Sequence, residues 1–397
     1  MRTSFIKNIT SVILLTLSLV ACHSPAYISG NIEGVATNDV KVYLIQPNLL
    51  KEVAASYFGK VIDSSVVHPD GSFEFHNLPK SKKPMLLELT VQASVKLPNY
   101  KQLDNPTKSN YMPLLWQLSE TLHITAKLDN FQKSFAIRQP SSINKALLDL
   151  RDINQTAYQT YLAGKEWQLE DGKQLLEKEQ AVLQYQTELI RFADSTSHLM
   201  PALLALRWVS PVNNYERIPE FLVRQCTKWQ QQQPEHPWVE QLCKQSELSN
   251  LPVLVGNRFP NLELPTIDKD TLLVNNQLGS KLTIVDLWAS WCAPCRKENR
   301  EILVPLWDNY HSQGLQIIAY SLESDASAWK SAVERDGADR WIQASDLQGD
   351  DAPFLKKIRI QTIPANFILD DKGVVIALSL IHILTLPTNI IRCRSRW

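Results

Sequence analysis

The alternation of apolar and polar residues in the first third of the chain predicts short β-strands. Pro69-Asp70-Gly71 is a turn sequence, because proline fixes φ and glycine tolerates a positive φ. Several short strands separated by turns favour a small antiparallel β-sandwich over residues 27–138. Five segments carry the β-branched and aromatic residues typical of strands: "DVKVYLI", "VIDSSVV", "SFEFHNL", "MLLELTV" and "TLHITAKL".

The spacing of apolar residues becomes helical after about residue 141. Leucine, isoleucine and valine recur at intervals of seven in two adjacent columns, as expected for one apolar helix face. The columns are Leu176, Leu183 and Ile190, and Leu175, Val182 and Leu189. We predict a helical spacer over residues 141–250, which either packs on a neighbouring domain or holds the last domain away from a membrane.

From about residue 251 onward, strand and helix patterns alternate. Apolar runs in "KLTIVDLWAS" and "LQIIAYSL" predict buried strands, "SAWKSAVERDG" predicts a helix, and "ANFILDDKGVVIA" predicts a hairpin. "RKENREILVPLWDNYHSQG" predicts another helix that ends at Gly314. Its apolar side chains should share one face: Ile302, Leu303, Leu306 and Tyr310. The chain is therefore predicted to be multidomain α+β, with an α/β domain around a mixed sheet at residues 251–377.

The first 22 residues have the pattern of a targeting segment. A basic start is followed by an apolar stretch that is shorter than the about 20 residues of a membrane-spanning helix. Its end, Leu19-Val20-Ala21-Cys22, resembles a bacterial lipoprotein lipobox. The resemblance implies that Cys22 is lipidated and anchors the mature protein to a membrane. An ordinary secretory signal is the alternative, and both place the protein outside the cytoplasm, where disulfides persist.

Cys292-Ala-Pro-Cys295 is the motif with the clearest chemistry. A structural zinc site needs a second ligand pair, and the sequence offers neither another CxxC nor a spaced histidine pair nearby. Haem attachment needs histidine after the second cysteine, where Arg296 stands. A peroxiredoxin pattern fails because Val285 and Ala289 occupy its proline and threonine positions. A thiol–disulfide redox motif and a static structural disulfide remain.

The order of strand, cysteine pair and helix assigns roles to the two cysteines. A cysteine at a helix N-terminus generally has a lowered pKa, because unpaired N–H groups and the helix dipole stabilise the thiolate. We therefore expect Cys292 to attack a substrate disulfide and Cys295 to resolve the mixed disulfide. Trp291 should shield one side of the sulfur pair and contact substrate, while Arg296 and Lys297 should add modest positive potential.

"WASWCAPC" after a buried strand, together with "TIPANFILDDKG", resembles the thioredoxin-fold domain of TlpA/ResA-type oxidoreductases. The resemblance covers about residues 251–377 and implies a cis peptide bond before Pro364, close to the active-site sulfurs. It also implies that the backbone of Ile363 faces an extended substrate peptide. The β-rich segment before it resembles, in pattern alone, the accessory domain of envelope lipoproteins.

Asp286 lies six residues before Cys292, on the strand that leads to the motif. In thioredoxin an aspartate at this spacing is buried and assists proton transfer involving the second cysteine, although many TlpA-type members carry a neutral residue there. The resemblance therefore implies a catalytic role for Asp286, and a hydrogen-bonded aspartate at the sheet edge is the alternative. Glu323 in "SLESD" is a weaker candidate, for which a solvated loop position is expected.

Cys226 and Cys243 are separated by 17 residues. An extracytoplasmic compartment permits a disulfide between them. Cysteines on helices need not approach within the Cα–Cα distance of about 4.4–6.8 Å that a bridge requires, so the spacing leaves this pairing open.

The last residues, 378–397, do not have the pattern of a terminal thioredoxin-fold helix. "LSLIHILTLPTNIIRCRSRW" has no acidic residue, carries Pro387 where a helix should run, and includes the lone Cys393. We therefore expect a non-native tail and an incomplete C-terminal end of the fold. The alternative is a divergent native tail in which "LSLIHIL" forms an extra strand.

Charge gives no reason to expect a nucleic-acid partner, because 41 basic residues balance 41 acidic ones. The resemblance implies a reductase of envelope protein disulfides that needs no cofactor beyond the redox-active Cys292–Cys295 pair. It further implies cysteine-containing client proteins, a membrane electron donor and uses such as cytochrome c maturation. A second hypothesis is a surface binding lipoprotein whose sandwich recognises a ligand.

Overall fold

The computed structural model describes residues 27–379, except for 37–38, 57–58, 82, 93–100, 104, 119 and 168–171. The predicted signal segment with Cys22 lies outside the described residues, as do residues 380–397 with Cys393. In the part of the chain that is described, no helix combines the length and the apolar character needed to cross a bilayer.

Eight strands in the first part of the chain form two four-stranded sheets. The sheet orders are β4-β1-β7-β8 and β3-β2-β5-β6. The strands are β1 (Ile28–Glu33), β2 (Lys41–Gln46), β3 (Lys60–Val66), β4 (Ser72–Phe75), β5 (Met85–Gln92), β6 (Tyr111–Trp116), β7 (Leu122–Lys127) and β8 (Ala136–Ile137). The predicted purely antiparallel pairing is wrong at one place, since β1 and β7 run parallel. A parallel pair needs a long crossover, and the chain from β2 to β6 supplies it.

The predicted turn at Pro69-Asp70-Gly71 carries the chain from one sheet to the other. Gly71 has a φ of +83°, a conformation that glycine adopts without strain. Asp70 Oδ1 accepts hydrogen bonds from the backbone N–H and the hydroxyl of Ser72, at 2.9 and 2.7 Å. The flanking strands β3 and β4 belong to different sheets, so the turn does not form a simple hairpin.

Among the described residues, six helices come after β7 and pack on these sheets. They are α1 (Phe131–Ser134), α2 (Ser142–Tyr161), α3 (Gly172–Ser195), α4 (Leu199–Val209), α5 (Pro219–Gln232) and α6 (Pro237–Gln245). Asn144 on α2 joins helix to sheet, because its side chain accepts from Leu115 N at 2.8 Å and donates to Leu115 O at 2.9 Å. Strands and helices share one hydrophobic core from Ile28 to Leu254. Of the two alternatives for the helical segment, the structure therefore shows packing on a neighbour, and we call residues 27–254 the accessory module.

The predicted apolar face of α3 is only partly correct. Leu189 is fully buried, whereas Leu183 is 40% exposed. A strict seven-residue repeat drifts by about 20° per heptad relative to a straight helix with 3.6 residues per turn, so its columns do not stay on the buried face.

Cys226 on α5 and Cys243 on α6 form a disulfide. The two helices are neighbours in a hairpin, and this brings the two Cα atoms to 4.9 Å. The bridge that the spacing left open is therefore present in the fold.

The C-terminal domain is built around a five-stranded mixed sheet of order β13-β12-β11-β14-β15. Strands β11, β12 and β13 are parallel, and β14 runs antiparallel to β11 and forms a hairpin with β15. The strands of this domain are β9 (Glu263–Pro265), β10 (Thr271–Leu273), β11 (Leu282–Trp288), β12 (Leu315–Ser321), β13 (Ile342–Ala344), β14 (Ala365–Asp370) and β15 (Val375–Ser379). Leu378 and Ser379, where the predicted non-native tail begins, pair with β14 as the end of β15.

One helical segment follows β11 and contains a π-helical turn. It consists of α7 (Ala293–Glu298), a π-helix (Asn299–Leu303) and α8 (Val304–Tyr310). The π turn lies just before Pro305, where a regular α-helix would place the proline ring against a carbonyl of the preceding turn. Gly314, with a φ of +105°, ends the segment as predicted. Tyr310 is 43% exposed, however, so its predicted place on the buried face is wrong.

Two further helices complete the domain around its own hydrophobic core. They are α9 (Ala326–Asp336) and α10 (Pro353–Ile358). Short 3-10 turns occupy Leu50–Glu52, Pro106–Lys108, Leu128–Asn130, Leu248–Asn250, Val274–Gln277, His311–Gln313, Ala338–Arg340 and Gly349–Asp351.

Candidate active site

The cysteine pair lies where β11 ends and the helical segment begins. Cys292 is the N-cap of α7, and Pro294 in the first helical turn costs no intrahelical hydrogen bond. Cys292 and Cys295 form a disulfide with their Cα atoms 5.3 Å apart. The backbone N–H of Cys295 points at Cys292 Sγ, with an N···S distance of 3.3 Å. In the reduced protein the same N–H would stabilise negative charge on Cys292.

The two cysteines differ in their exposure to solvent. Cys292 is 6% exposed and Cys295 is 2% exposed, so Cys292 is the more accessible of the two. Trp291, directly before them, is 64% exposed. An exposed tryptophan beside a reactive pair is available for contact with a substrate polypeptide.

The segment that contains Pro364 lies next to the cysteine pair because of the strand register. Ala365 begins β14 and pairs with Leu287, close to the end of β11 that leads to Cys292. The Ile363–Pro364 peptide bond is cis, as predicted. Ile363 is half-buried, whereas Pro364 is buried. The fold therefore brings together the two segments that the sequence singled out.

Asp286 is buried in the sheet below the cysteine pair, not hydrogen-bonded at a solvated edge. It is 1% exposed, and its Oδ2 has no hydrogen-bond partner among the described residues. Burial, and then the neighbouring carboxylate of Glu298, raise the pKa of Asp286 well above its ordinary value. A carboxyl group with a raised pKa can exchange a proton near neutral pH, which an ordinary aspartate cannot do.

Glu298 is a site residue that the sequence interpretation missed. It is 1% exposed, and its Oε1 accepts a hydrogen bond from Asn366 Nδ2 at 3.0 Å. Glu298 follows Cys295 by three residues, and residues three apart lie on the same face of a helix. That spacing was the signal that could have identified it.

Glu323 was expected to be a solvated loop acid, and this expectation is wrong. It is 3% exposed, and its carboxylate accepts a hydrogen bond from the backbone N–H of Ser290. Ser290 belongs to the loop before Cys292, so Glu323 fixes the approach to the cysteine pair. A local sequence pattern does not show such a contact, because the two residues are 33 positions apart.

The positive charge expected of Arg296 near the sulfurs is already paired. Its Nε and Nη2 donate to the two carboxylate oxygens of Asp336 at 2.7 and 2.8 Å. Arg300 Nη1 donates to Asp336 Oδ1 at 2.7 Å. Asp336 therefore neutralises much of this charge and ties the start of the helical segment to the end of α9.

Comparison with known proteins agrees with this geometry. A family model described as Redoxin matches residues 254–382. The thiol:disulfide interchange protein DsbE of Pseudomonas fluorescens biotype C is 28% identical over 128 residues, which are 31% of this chain and 64% of that relative. The thiol-disulfide oxidoreductase ResA of Bacillus thuringiensis subsp. konkukian is 25% identical over 122 residues, which are 31% of this chain and 67% of that relative.

Among solved structures, the C-terminal domain of a putative thiol-disulfide oxidoreductase from Bacteroides thetaiotaomicron is similar at 25% sequence identity and a TM-score of 0.32. The match covers 35% of this chain and 95% of that domain. The chain spans about two thirds of the length of the curated relatives it matches.

Proposed function

We propose that this chain is a thiol–disulfide oxidoreductase, because the Redoxin family model matches residues 254–382 and its described part has a thioredoxin-like fold. It acts outside the cytoplasm on cysteine-containing proteins. The observation that carries the proposal is the Cys292–Cys295 disulfide at the start of α7, beside the cis peptide bond at Pro364. A static structural disulfide would not need either the helix start or the adjoining cis-proline segment.

The reaction begins with the reduced dithiol. The Cys292 thiolate attacks one sulfur of a client disulfide, the client S–S bond breaks, and the leaving client thiolate takes up a proton. Cys295 then loses its proton and attacks Cys292 Sγ, which forms the Cys292–Cys295 disulfide and releases the second client thiolate. Two electrons pass from the enzyme to the client, and a dithiol donor at the membrane restores the reduced enzyme.

Asp286 supports this exchange by assisting proton transfer to or from Cys295. Burial raises the pKa of Asp286 above its ordinary value, so its carboxyl group holds a proton more readily than an exposed aspartate does. Glu298, which sits one helical turn after Cys295, strengthens the effect because its nearby negative charge opposes ionisation of Asp286. The client segment contacts Trp291 and lies along the backbone of Ile363, next to Pro364.

The targeting segment and the second disulfide support a site of action outside the cytoplasm. Lipidation of Cys22 would anchor the protein to a membrane on its extracytoplasmic side. The Cys226–Cys243 disulfide supports this location, because such bridges persist in oxidising compartments. One use of such a reductase is to keep haem-binding cysteines reduced during cytochrome c maturation.

Reduction of insulin disulfides tests the proposal. The full chain should turn over insulin with dithiothreitol as the electron source, whereas Cys292→Ser and Cys295→Ser should fall to the rate of dithiothreitol alone. Equal rates for the wild type and Cys292→Ser would overturn the proposed function. Mass spectrometry of the mature N-terminus tests the anchor, which requires acyl chains on Cys22.

A further inference from the structure

The accessory module contacts the redoxin domain at the segment that precedes the cis proline. Glu216 lies in the loop between α4 and α5 and is 8% exposed. One of its carboxylate oxygens, Oε1, accepts hydrogen bonds from Gln361 N at 3.0 Å and from Thr362 N at 3.1 Å. Charge-assisted hydrogen bonds of this kind are stronger than neutral ones, so Glu216 fixes the accessory module against the cis-proline segment.

A cavity of about 740 Å³ opens at this contact. Thr362 contributes the redoxin side of its lining, and the accessory module contributes the rest. Thr362 is two residues from Pro364, and two residues of extended chain span at most about 7 Å. A polypeptide that lies along the cis-proline segment therefore reaches the mouth of the cavity.

The lining is aromatic and almost uncharged. Its large aromatic side chains are Tyr111, Tyr158, Tyr185 and Trp208. Among the described residues of the lining, Arg217 alone is charged, and it is paired with Glu179. A neutral, aromatic-lined space of this volume falls within the range of about 300–1,000 Å³ typical of ligand sites and disfavours charged groups.

The polar groups of the lining are mostly satisfied by one another. Trp208 Nε1 donates to Tyr111 Oη at 2.9 Å, and Tyr185 Oη donates to Asn154 Oδ1 at 2.6 Å. Gln132 is different, since it is 2% exposed and its Oε1 has no hydrogen-bond partner among the described residues. A buried acceptor without a partner favours a ligand that brings a donor.

Two exposed apolar residues and one helix extend this surface. Val212, at the rim of the cavity, is 84% exposed, and Trp291, before Cys292, is 64% exposed. Helix α3, which lines the cavity through Val182 and Tyr185, also approaches α7, the helix that begins at the cysteine pair. Helix α3 and the segment that contains Thr362 therefore both connect the cavity to the surroundings of the redox pair.

We propose that this cavity is the second half of the client site and binds a neutral aromatic side chain that carries a hydrogen-bond donor, a tyrosine or tryptophan, near the client's reacting cysteine. The inference rests on the proposed function and adds its substrate class. The occupant is a client polypeptide rather than a free small molecule, because the cavity shares Thr362 with the segment along which the client lies. The accessory module thereby selects clients for the redoxin domain.

Short cysteine peptides linked by a disulfide to glutathione provide the probe. Peptides with tyrosine, alanine or lysine near the cysteine, on either side, are compared as substrates of the reduced full chain. A dialkyl disulfide measures the basal chemistry. The kcat/KM for the tyrosine peptide should exceed that for the alanine peptide by about tenfold, as expected for burial of part of an aromatic ring. The kcat/KM for the lysine peptide should not exceed that for the alanine peptide.

Variants on α3 locate the preference in the cavity. Val182→Trp should fill the cavity and remove the preference for the tyrosine peptide. Leu183→Trp is the matched control on the same helix, because Leu183 is 40% exposed and does not line the cavity. Val212→Asp alters only the exposed rim, so it should fold normally and lower kcat/KM for the tyrosine peptide several-fold.

The outcomes separate the inference from the proposed function. Equal rates on all peptides, or a preference that survives both Val182→Trp and Val212→Asp, would overturn the cavity's role while the oxidoreductase activity stands. Faster reduction of every substrate by Val182→Trp would also overturn it, since the module would then shield the site. If the full chain reduced neither the peptides nor the dialkyl disulfide, the proposed function would fail and the inference with it.

Discussion

Asn366 on β14 lies directly opposite Asp286 on β11 in the antiparallel register. Side chains at directly opposite positions project from the same face of a sheet, so the two residues face the same layer above it. Asn366 also donates a hydrogen bond to Glu298 on α7. Asp286 in the sheet and Glu298 on the helix, one turn after Cys295, are therefore linked through Asn366, and proton transfer can be tested there residue by residue.

Substitution of Asp286 should slow the second step of exchange. Asp286→Asn keeps the shape but cannot transfer a proton to or from Cys295. We therefore expect resolution of the mixed disulfide near neutral pH to slow by about 10²-fold, the lower end of general acid–base effects. Stopped-flow kinetics of a preformed mixed disulfide measures this step directly. The control is the first step, attack by Cys292, whose rate should not change. An equal loss of rate in both steps would show that Asp286 has only a structural role.

The raised pKa of Asp286 also predicts a pH dependence of stability. The folded protein holds the Asp286 proton at pH values where the unfolded chain, with an ordinary pKa of 3.8, has released it. The stability from this group is therefore complete below the ordinary value and is lost as the pH rises through the folded-state pKa. As the pH rises above the ordinary value of 3.8, Asp286→Asn should lose less unfolding free energy than the wild type in urea denaturation. If the wild type and Asp286→Asn lost unfolding free energy equally as the pH rose, the pKa of Asp286 would not be raised in the folded protein.

Asp336 should matter for the stability of the redoxin domain. Its carboxylate is 1% exposed and is bonded to Arg296 and Arg300. The two arginines are 20% and 47% exposed and can still be hydrated, so Asp336→Ala should cost about 2 kcal/mol, as expected for lost hydrogen bonds between charged groups. The matched control is Asp339→Ala nearby, whose side chain is 67% exposed and should cost under about 1 kcal/mol. Similar urea midpoints for Asp336→Ala and Asp339→Ala would contradict the stabilising role of Asp336.

The Cys226–Cys243 disulfide should stabilise the accessory module without taking part in the redox reaction. Replacing both cysteines with alanine removes the cross-link, and closing a loop of 17 residues is worth about 3 kcal/mol. Denaturation of the oxidised protein measures the loss, and the midpoint potential of the Cys292–Cys295 couple serves as the control. A shift of that potential would show that the two disulfides are coupled.

Local patterns predicted the parts of the fold that depend on local chemistry. The strand at β11, the helix after Cys292 and the hairpin of β14 and β15 follow from apolar runs, helix capping and a turn sequence. Contacts between distant residues could not be read in this way. The parallel pairing of β1 with β7 depends on the whole crossover between them, and no periodicity records it.

In the candidate site, too, local motifs could be predicted from the sequence, whereas contacts between distant residues could not. Cys292, Cys295 and Pro364 lie in compact motifs, so they could be identified from the sequence. Glu216 could not be, because it is separated by 145 positions from the backbone it binds at Gln361. Its loop has no regular pattern of apolar and polar residues that would indicate a contact with another domain.

Trapping of the mixed disulfide is the most direct test of whether Cys292 attacks the client disulfide. The reduced Cys295→Ser variant is mixed with oxidised insulin, and the covalent product is separated without reductant and mapped by mass spectrometry. We expect an adduct through Cys292 that accumulates in Cys295→Ser and is absent in Cys292→Ser. An adduct that forms through Cys295 in Cys292→Ser, with none in Cys295→Ser, would contradict the assignment of Cys292 as the attacking thiol.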